Sequence, residues 1–303
     1  MRLEGVFTAM ITPFLQGKLD EEGLRKNIRR QIEARVTGLV FLGSTGEAST
    51  LTREEKRRIL QIGIEEAQGH LLVIAGTGSN STAVTIEQTQ EAKELGADLA
   101  LIVTPYYNKP TQAGIFQHFK AITEAVDLPV LIYNHQGRTG VNIETPTLLQ
   151  LAALSHIAGV KEASSNLDQV ADVLHTVQRQ FPHFSVLSGD DSLTLPMMAL
   201  GAGGIISIVS NLFPYEMGEL VHAALEGKFS DARKWHEQLL PFFRLALIET
   251  NPIPIKEAMH HCGLPAGPCR LPLSSLQKEN RAQLVAFFAK SEIRQDTCKV
   301  FQD

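Results

Sequence analysis

Eight short β-rich apolar runs alternate with longer stretches of helical period over about 215 of the chain's 303 residues, the pattern of repeated βα units around a parallel sheet. Eight such units suit an α/β protein closed into a (β/α)8 barrel, with an open doubly wound sheet as the lesser alternative. No GxGxxG follows the first run, which weakens the open-sheet reading further. Beyond about Pro214 the strand pattern stops, and the remainder reads as helices appended to the barrel.

The apolar runs fall at 6–13, 38–42, 71–75, 99–103, 129–133, 157–160, 184–187 and 204–209. Amphipathic segments at 21–35, 53–67, 82–95, 112–126 and 167–180 lie between them, with apolar residues recurring at helical spacing. Capping chemistry opens several of these: Thr52-Arg-Glu-Glu55 has the form of a capping box, and Asn166 precedes Leu167 as an N-cap. The last third predicts helices at 215–225, 230–247, 255–261 and 275–290. Gly227 and the proline pairs Pro252/Pro254 and Pro268/Pro272 punctuate them without a low-complexity linker. A barrel over 1–224 therefore carries a helical region over 225–303 that is expected to pack on it.

With 44% hydrophobic and 20% charged residues and a net charge of -5, the chain can bury a large core and is not of a disordered composition. It lacks the basic stripe that nucleic-acid binding needs. The start, Met1-Arg-Leu-Glu-Gly-Val-Phe7, has no apolar leader, and no later run is long enough to span a bilayer. A cytoplasmic location without membrane partners is expected. Cys262, Cys269 and Cys298 show neither metal-ligand spacing nor an even count and are read as reduced and structural.

In such a barrel the chemistry sits at the C-terminal ends of the strands. Five runs end in polar, specific sequences: Gly43-Ser-Thr-Gly-Glu47, Thr104-Pro-Tyr-Tyr-Asn108, Tyr133-Asn-His-Gln-Gly-Arg138, Lys161 and Ser188-Gly-Asp-Asp191. Lys161 closes the run Ile157-Ala-Gly-Val-Lys-Glu162 and is the only lysine at the tip of a buried-strand pattern. Apolar surroundings strip an ammonium of its hydration and lower its pKa, leaving a neutral amine able to attack a carbonyl and form a Schiff base. Taken alone, Lys161 more often closes a strand and pairs with Glu162. Its neighbours reverse that order. Tyr133 ends the adjacent run, and a phenol beside the amine makes a proton relay if its proton is shared with Ser44 or Thr45.

Each neighbour also has a plainer reading. Tyr133 by itself is an aromatic closing the barrel, Ser44 and Thr45 are turn formers between Gly43 and Gly46, and Arg138 is a surface charge. Arg138, however, follows Gly137 just beyond Tyr133, where a guanidinium can take a substrate carboxylate through two hydrogen bonds. Gly76-Thr-Gly-Ser79 lacks the lysine of a P-loop and reads as a strand-to-helix turn. Asp190 and Asp191 read as a helix cap and part of the site rim rather than a metal site. His118, His156, His183, His260 and His261 share no spacing and receive no role.

Gly43-Ser-Thr-Gly-Glu47, Tyr133-Asn134, Gly159-Val-Lys-Glu162 and Asn251-Pro-Ile-Pro254, in this order over nearly the whole chain, resemble the dihydrodipicolinate synthase and N-acetylneuraminate lyase family. The resemblance implies a (β/α)8 TIM barrel with a C-terminal helical extension. It implies a class I aldolase-type lyase that binds pyruvate or a related 2-oxo acid as a Schiff base on Lys161. Tyr133 would then shuttle protons, with Ser44 and Thr45 holding it and binding the pyruvate carboxylate, while the backbone near Gly189 and Ile206 lines that site. Tyr106-Tyr107, Arg138-Thr139-Gly140 and Asn251-Pro-Ile-Pro-Ile-Lys256 are similar to the synthase branch. That branch condenses pyruvate with aspartate 4-semialdehyde at the start of lysine and diaminopimelate biosynthesis. Arg138 would hold the semialdehyde's carboxylate, and Tyr107 would complete the relay in a neighbouring subunit of a homotetramer built as a dimer of dimers. No metal or organic cofactor is implied.

Three departures from the family pattern matter. Ser44 stands for the first threonine of the synthase's usual pair, a neutral change for proton relay. His135-Gln136 stands where an apolar residue and a proline are usual, which predicts a freer loop and a titratable ring, and keeps open an aldehyde derived from a sugar acid. The positions that bind feedback lysine in sensitive synthases here read Ala48, Ser49, Arg53, Lys56, Asn80, Val84 and Tyr106. Val84 removes an acidic ligand and Arg53 and Lys56 add like charge, so inhibition by lysine is expected to be weak or absent. Two other readings remain at this point: a lyase of the same family acting on a sugar-derived 2-oxo acid, and a non-catalytic barrel that binds one.

Overall fold

The computed structural model describes residues 2–290 and 293. Eight parallel strands close into a barrel: β1 (Gly5–Ala9), β4 (Gly38–Phe41), β5 (Leu72–Gly76), β6 (Leu99–Val103), β7 (Val130–Asn134), β8 (Ile157–Glu162), β9 (Ser185–Ser188) and β10 (Gly204–Ser207). Each pairs with its neighbour in chain order, and β10 returns to β1 with Gly5 opposite Gly204 and Thr8 opposite Ser207. All eight predicted runs are therefore staves of the closed barrel, and the open-sheet alternative is ruled out by the β1–β10 pairing. A small hairpin, β2 (Phe14–Leu15) and β3 (Lys18–Leu19), follows β1 and was not anticipated.

Helices link the staves, all but the short α5 at the barrel mouth covering the outside: α1 (Glu21–Glu33), α2 (Arg53–Ala67), α3 (Thr82–Leu95), α4 (Gln112–Ala125), α5 (Gln136–Thr139), α6 (Thr145–Ala152), α7 (Leu167–Val173), α8 (Thr194–Leu200) and α9 (Pro214–Leu225). Local chemistry sets their starts. Thr52 and Glu55 close the predicted capping box at 3.2 and 3.0 Å, and Asn166 Oδ1 accepts from the backbone N–H groups of both Asp168 and Gln169. The predicted helix at 167–180 changes winding midway, with a π-helical stretch over Leu174–Gln178.

Phe7, Val40, Ile74, Leu101, Leu131, Leu187 and Ile206 fill the barrel interior. Because strand side chains alternate, the other faces of these staves are packed against helices. Past α9 come α10 (Phe229–Leu245), α11 (Ile253–His261) and α12 (Lys278–Lys290). The layer that holds Leu24 and Ile28 of α1 and Ile59 of α2 continues without a break to Phe242, Ile255 and Phe288 of these last helices. No helix among the described residues is long and apolar enough to cross a membrane, and none of their His, Cys, Asp and Glu side chains form a group able to hold a metal. Cys262 is buried in the layer shared by the barrel helices and the last helices. Cys269 is free, and Cys298 lies outside the described residues.

Candidate active site

Strand pairing brings the two central residues together. Tyr133 on β7 lies directly opposite Lys161 on β8, and the Lys161 Nζ stands 4.2 Å from the centre of the Tyr133 ring. Both belong to the inward face, and Lys161 is only 6% exposed. Burial pushes the Lys161 ammonium down to about 7, helped by the Arg138 guanidinium and opposed by the Asp191 carboxylate. Burial likewise pushes the Tyr133 phenol up to about 12, against the Arg138 charge and the nearby Ser44 hydroxyl. The side chain next along β8, Glu162, points to the opposite face, where Asn134 and Gln169 amides and the Ser164 N–H bind its carboxylate. Lys161 therefore has no ion pair with Glu162.

Ser44 and Thr45 lie on the turn that leaves β4. Thr45 is buried, and its Oγ1 accepts from Asn251 Nδ2 at 2.9 Å. The Asn251 backbone carbonyl accepts from Arg138 Nη2 at 3.3 Å, while Asn251 Oδ1 is buried without a partner. Asn251, from the segment before α11, thus bridges the turn bearing the hydroxyls and the exposed Arg138. A cavity of about 340 Å³ is lined by Ser44, Tyr133, Arg138 and Asn251 and runs outward past Ala48, Lys56 and Tyr106.

Gly189 lies against the amine: a Cβ there would sit 3.1 Å from Lys161 Cε and 2.7 Å from Ala163 Cβ, so only glycine lets the lysine stem pass. Ile206 of β10 is buried in the same interior layer as Tyr133. Tyr107 is not brought to the site of its own chain: it has φ 73° and is 89% exposed.

Other residues of this region differ in part from what the sequence predicts. Asp190 caps the turn after β9 through Ser192, as expected, but Asp191 turns inward. Its carboxylate takes the Ser207 hydroxyl at 2.5 Å and the N–H groups of Ile208 and Val209, and burial raises its pKa to about 6. The adjacent acidic pair in Ser188-Gly-Asp-Asp191 was the available signal, yet sequence does not say which carboxylate faces the barrel. The 135–140 segment is also firmer than expected. His135 O accepts from the N–H of Arg138 and of Thr139, closing α5 as a helical turn, so the segment is not a free loop. The His135 ring rests edge-on against Tyr133 at 5.7 Å, and burial with the Arg138 and Lys161 charges pushes its pKa down to about 4. It is a neutral ring at physiological pH rather than a switch.

A parallel barrel with a dry amine and a phenol at its C-terminal mouth has the make-up of a class I aldolase-type lyase. Residues 2–291 match the Dihydrodipicolinate synthetase family, and the chain belongs to that family. It is 57% identical over 285 residues to the 4-hydroxy-tetrahydrodipicolinate synthase of Protochlamydia amoebophila, covering 94% of this chain and 95% of that one. The crystal structure of dihydrodipicolinate synthase from Aquifex aeolicus superposes with a TM-score of 0.92 at 44% identity, covering 95% of this chain and 98% of that one. The chloride-inhibited enzyme from Acinetobacter baumannii, solved in complex with pyruvate, matches with a TM-score of 0.92 at 39% identity over 94% of this chain and 98% of that chain.

Proposed function

We propose that the chain catalyses the reaction for which its curated relatives are named, forming 4-hydroxy-tetrahydrodipicolinate from pyruvate and aspartate 4-semialdehyde, with Lys161 as the covalent catalyst. The neutral Lys161 amine attacks the keto carbon of pyruvate, and the carbinolamine loses water to leave a cationic imine. Tyr133, which lines the cavity together with Ser44, passes the protons between nitrogen, the departing oxygen and water. Loss of a methyl proton then gives an enamine, the imine nitrogen acting as electron sink, and the enamine carbon attacks the aldehyde, whose oxygen takes a proton. The semialdehyde's own amine adds to the imine carbon and displaces the Lys161 amine, closing the ring. Arg138 holds the semialdehyde's carboxylate at the rim, so that orientation lowers the barrier to the attack on the aldehyde. Thr45 with the backbone of Gly189 and Ile206 surrounds the pyruvate end, and Tyr107 serves the site of a neighbouring subunit in a homotetramer. The chain works in the cytoplasm and engages neither nucleic acid nor membrane.

The observation that carries this reading is the buried Lys161 amine, held near neutral pKa against the face of Tyr133. Incubation with pyruvate and borohydride should add a pyruvate-sized mass to the peptide bearing Lys161. Lys161→Ala should give no adduct and lose turnover by on the order of a thousandfold or more. Turnover retained in that variant would overturn the assignment.

A further inference from the structure

A second buried lysine lies close to the site and takes no part in the chemistry above. Lys256 of α11 is 2% exposed, less than Lys161, and its ammonium donates to Glu47 Oε1 at 2.7 Å, Thr12 O at 3.0 Å and Pro268 O at 3.1 Å. The other Glu47 oxygen accepts from the Arg270 N–H at 2.8 Å. All three ammonium protons and both carboxylate oxygens are therefore used. An ion pair this dry is no better for stability than a well-packed apolar pair, because desolvation offsets the attraction. Its directional bonds, however, permit only one arrangement of the segments that carry it.

Those segments are the two that frame the reacting groups. Glu47 lies two residues beyond Thr45 on the same turn, with φ 53°. Lys256 lies five residues beyond Asn251, the residue that donates to Thr45 and accepts from Arg138. Outside the pair, Arg270 clasps Glu55 at 2.6 and 2.7 Å and stacks over Phe14, so the same C-terminal stretch is tied to the start of α2 as well. We infer that Glu47 and Lys256 are positioning residues for the reaction: they set the turn over 43–47 against the start of α11, so that Asn251 holds the Thr45 hydroxyl and the Arg138 guanidinium in place together. This rests on the roles proposed for Thr45 and Arg138.

A double-mutant cycle on steady-state kinetics tests it. Glu47→Gln keeps the shape of the side chain and leaves an acceptor for Lys256. It should lower kcat by on the order of ten- to a hundredfold and raise KM for the aldehyde more than KM for pyruvate. In an Asn251→Ala background the same substitution should cost less than about threefold, because both changes break one linkage. Lys256→Met should repeat this pattern, and if that variant does not fold, the cycle with Glu47→Gln decides alone. Additive losses, or wild-type kcat and KM in the folded fraction despite a lowered Tm, would show that the pair is merely structural and overturn the inference. Borohydride trapping of the wild-type chain separates the two readings. Failure to trap sinks the Schiff base, whereas normal trapping with additive losses sinks only the positioning role.

Discussion

At the scale of single residues, the reaction depends on how much of Lys161 is neutral. With its pKa lowered to about 7, the attacking amine forms as pH rises through that value, so kcat/KM for pyruvate should climb with an acid limb near 7. Asp191 favours the ammonium and therefore holds this limb up. Asp191→Asn removes the negative charge, lowers the Lys161 pKa further and should move the limb to more acid pH, which a pH–rate profile of the variant would measure; an unmoved limb would contradict the coupling. Lys161, Tyr133 and Arg138 were legible in the sequence because each ends or closely follows a strand, and strand ends converge at the mouth of a barrel. Asp191 was not, because the turn after β9 decides between two adjacent carboxylates and nothing in their types distinguishes cap from interior. Lys256 was missed for a related reason: on a helix, burial of a lysine depends on a partner more than two hundred residues away, Glu47.

At the scale of elements, all eight staves were found, since β-branched apolar runs separated by helical period have few other solutions. The short pieces were not. α5, α6 and α8 are four to eight residues long, too brief for a helical period to show, and Pro146 and Pro196 lie in the opening turns of α6 and α8, where proline is tolerated but reads as a breaker. The β2–β3 hairpin turns on Gln16 and Gly17, both at positive φ, without the Asn-Gly signal that usually marks such a turn. The α2–α3 face carries a functional expectation. Arg53 pairs with Glu87 and Glu91, and Lys56 lines the outer part of the cavity beside Ala48, Ser49 and Tyr106. Another cation brought to this wall meets Lys56 rather than a free carboxylate. Addition of lysine to a steady-state assay should therefore leave turnover unchanged through the sub-millimolar range, and half-maximal inhibition there would refute the expectation.

At the scale of the molecule, an isolated chain leaves Tyr107 in solvent, so the proposed relay is complete only when subunits associate. Tyr107→Phe and Lys161→Ala chains, each nearly inactive alone, should regain about a quarter of wild-type activity when unfolded and refolded as an equal mixture, because half of random dimers then hold one intact site. No recovery would mean that Tyr107 does not act across an interface. The closure of the barrel has a consequence of another kind. β1 contacts β4 on one side and β10 on the other, while the Asn211 amide just past β10 bonds Ile11 N–H and Ala9 O. The first stave to leave the ribosome thus keeps one unpaired edge until the last has been translated, about 200 residues and ten to forty seconds later. During that interval its hydrogen-bonding groups are open to any passing strand. Whatever shields the nascent chain, synthesis of this enzyme runs against a clock set by its own circular architecture, and slow translation is the condition under which its yield should suffer first.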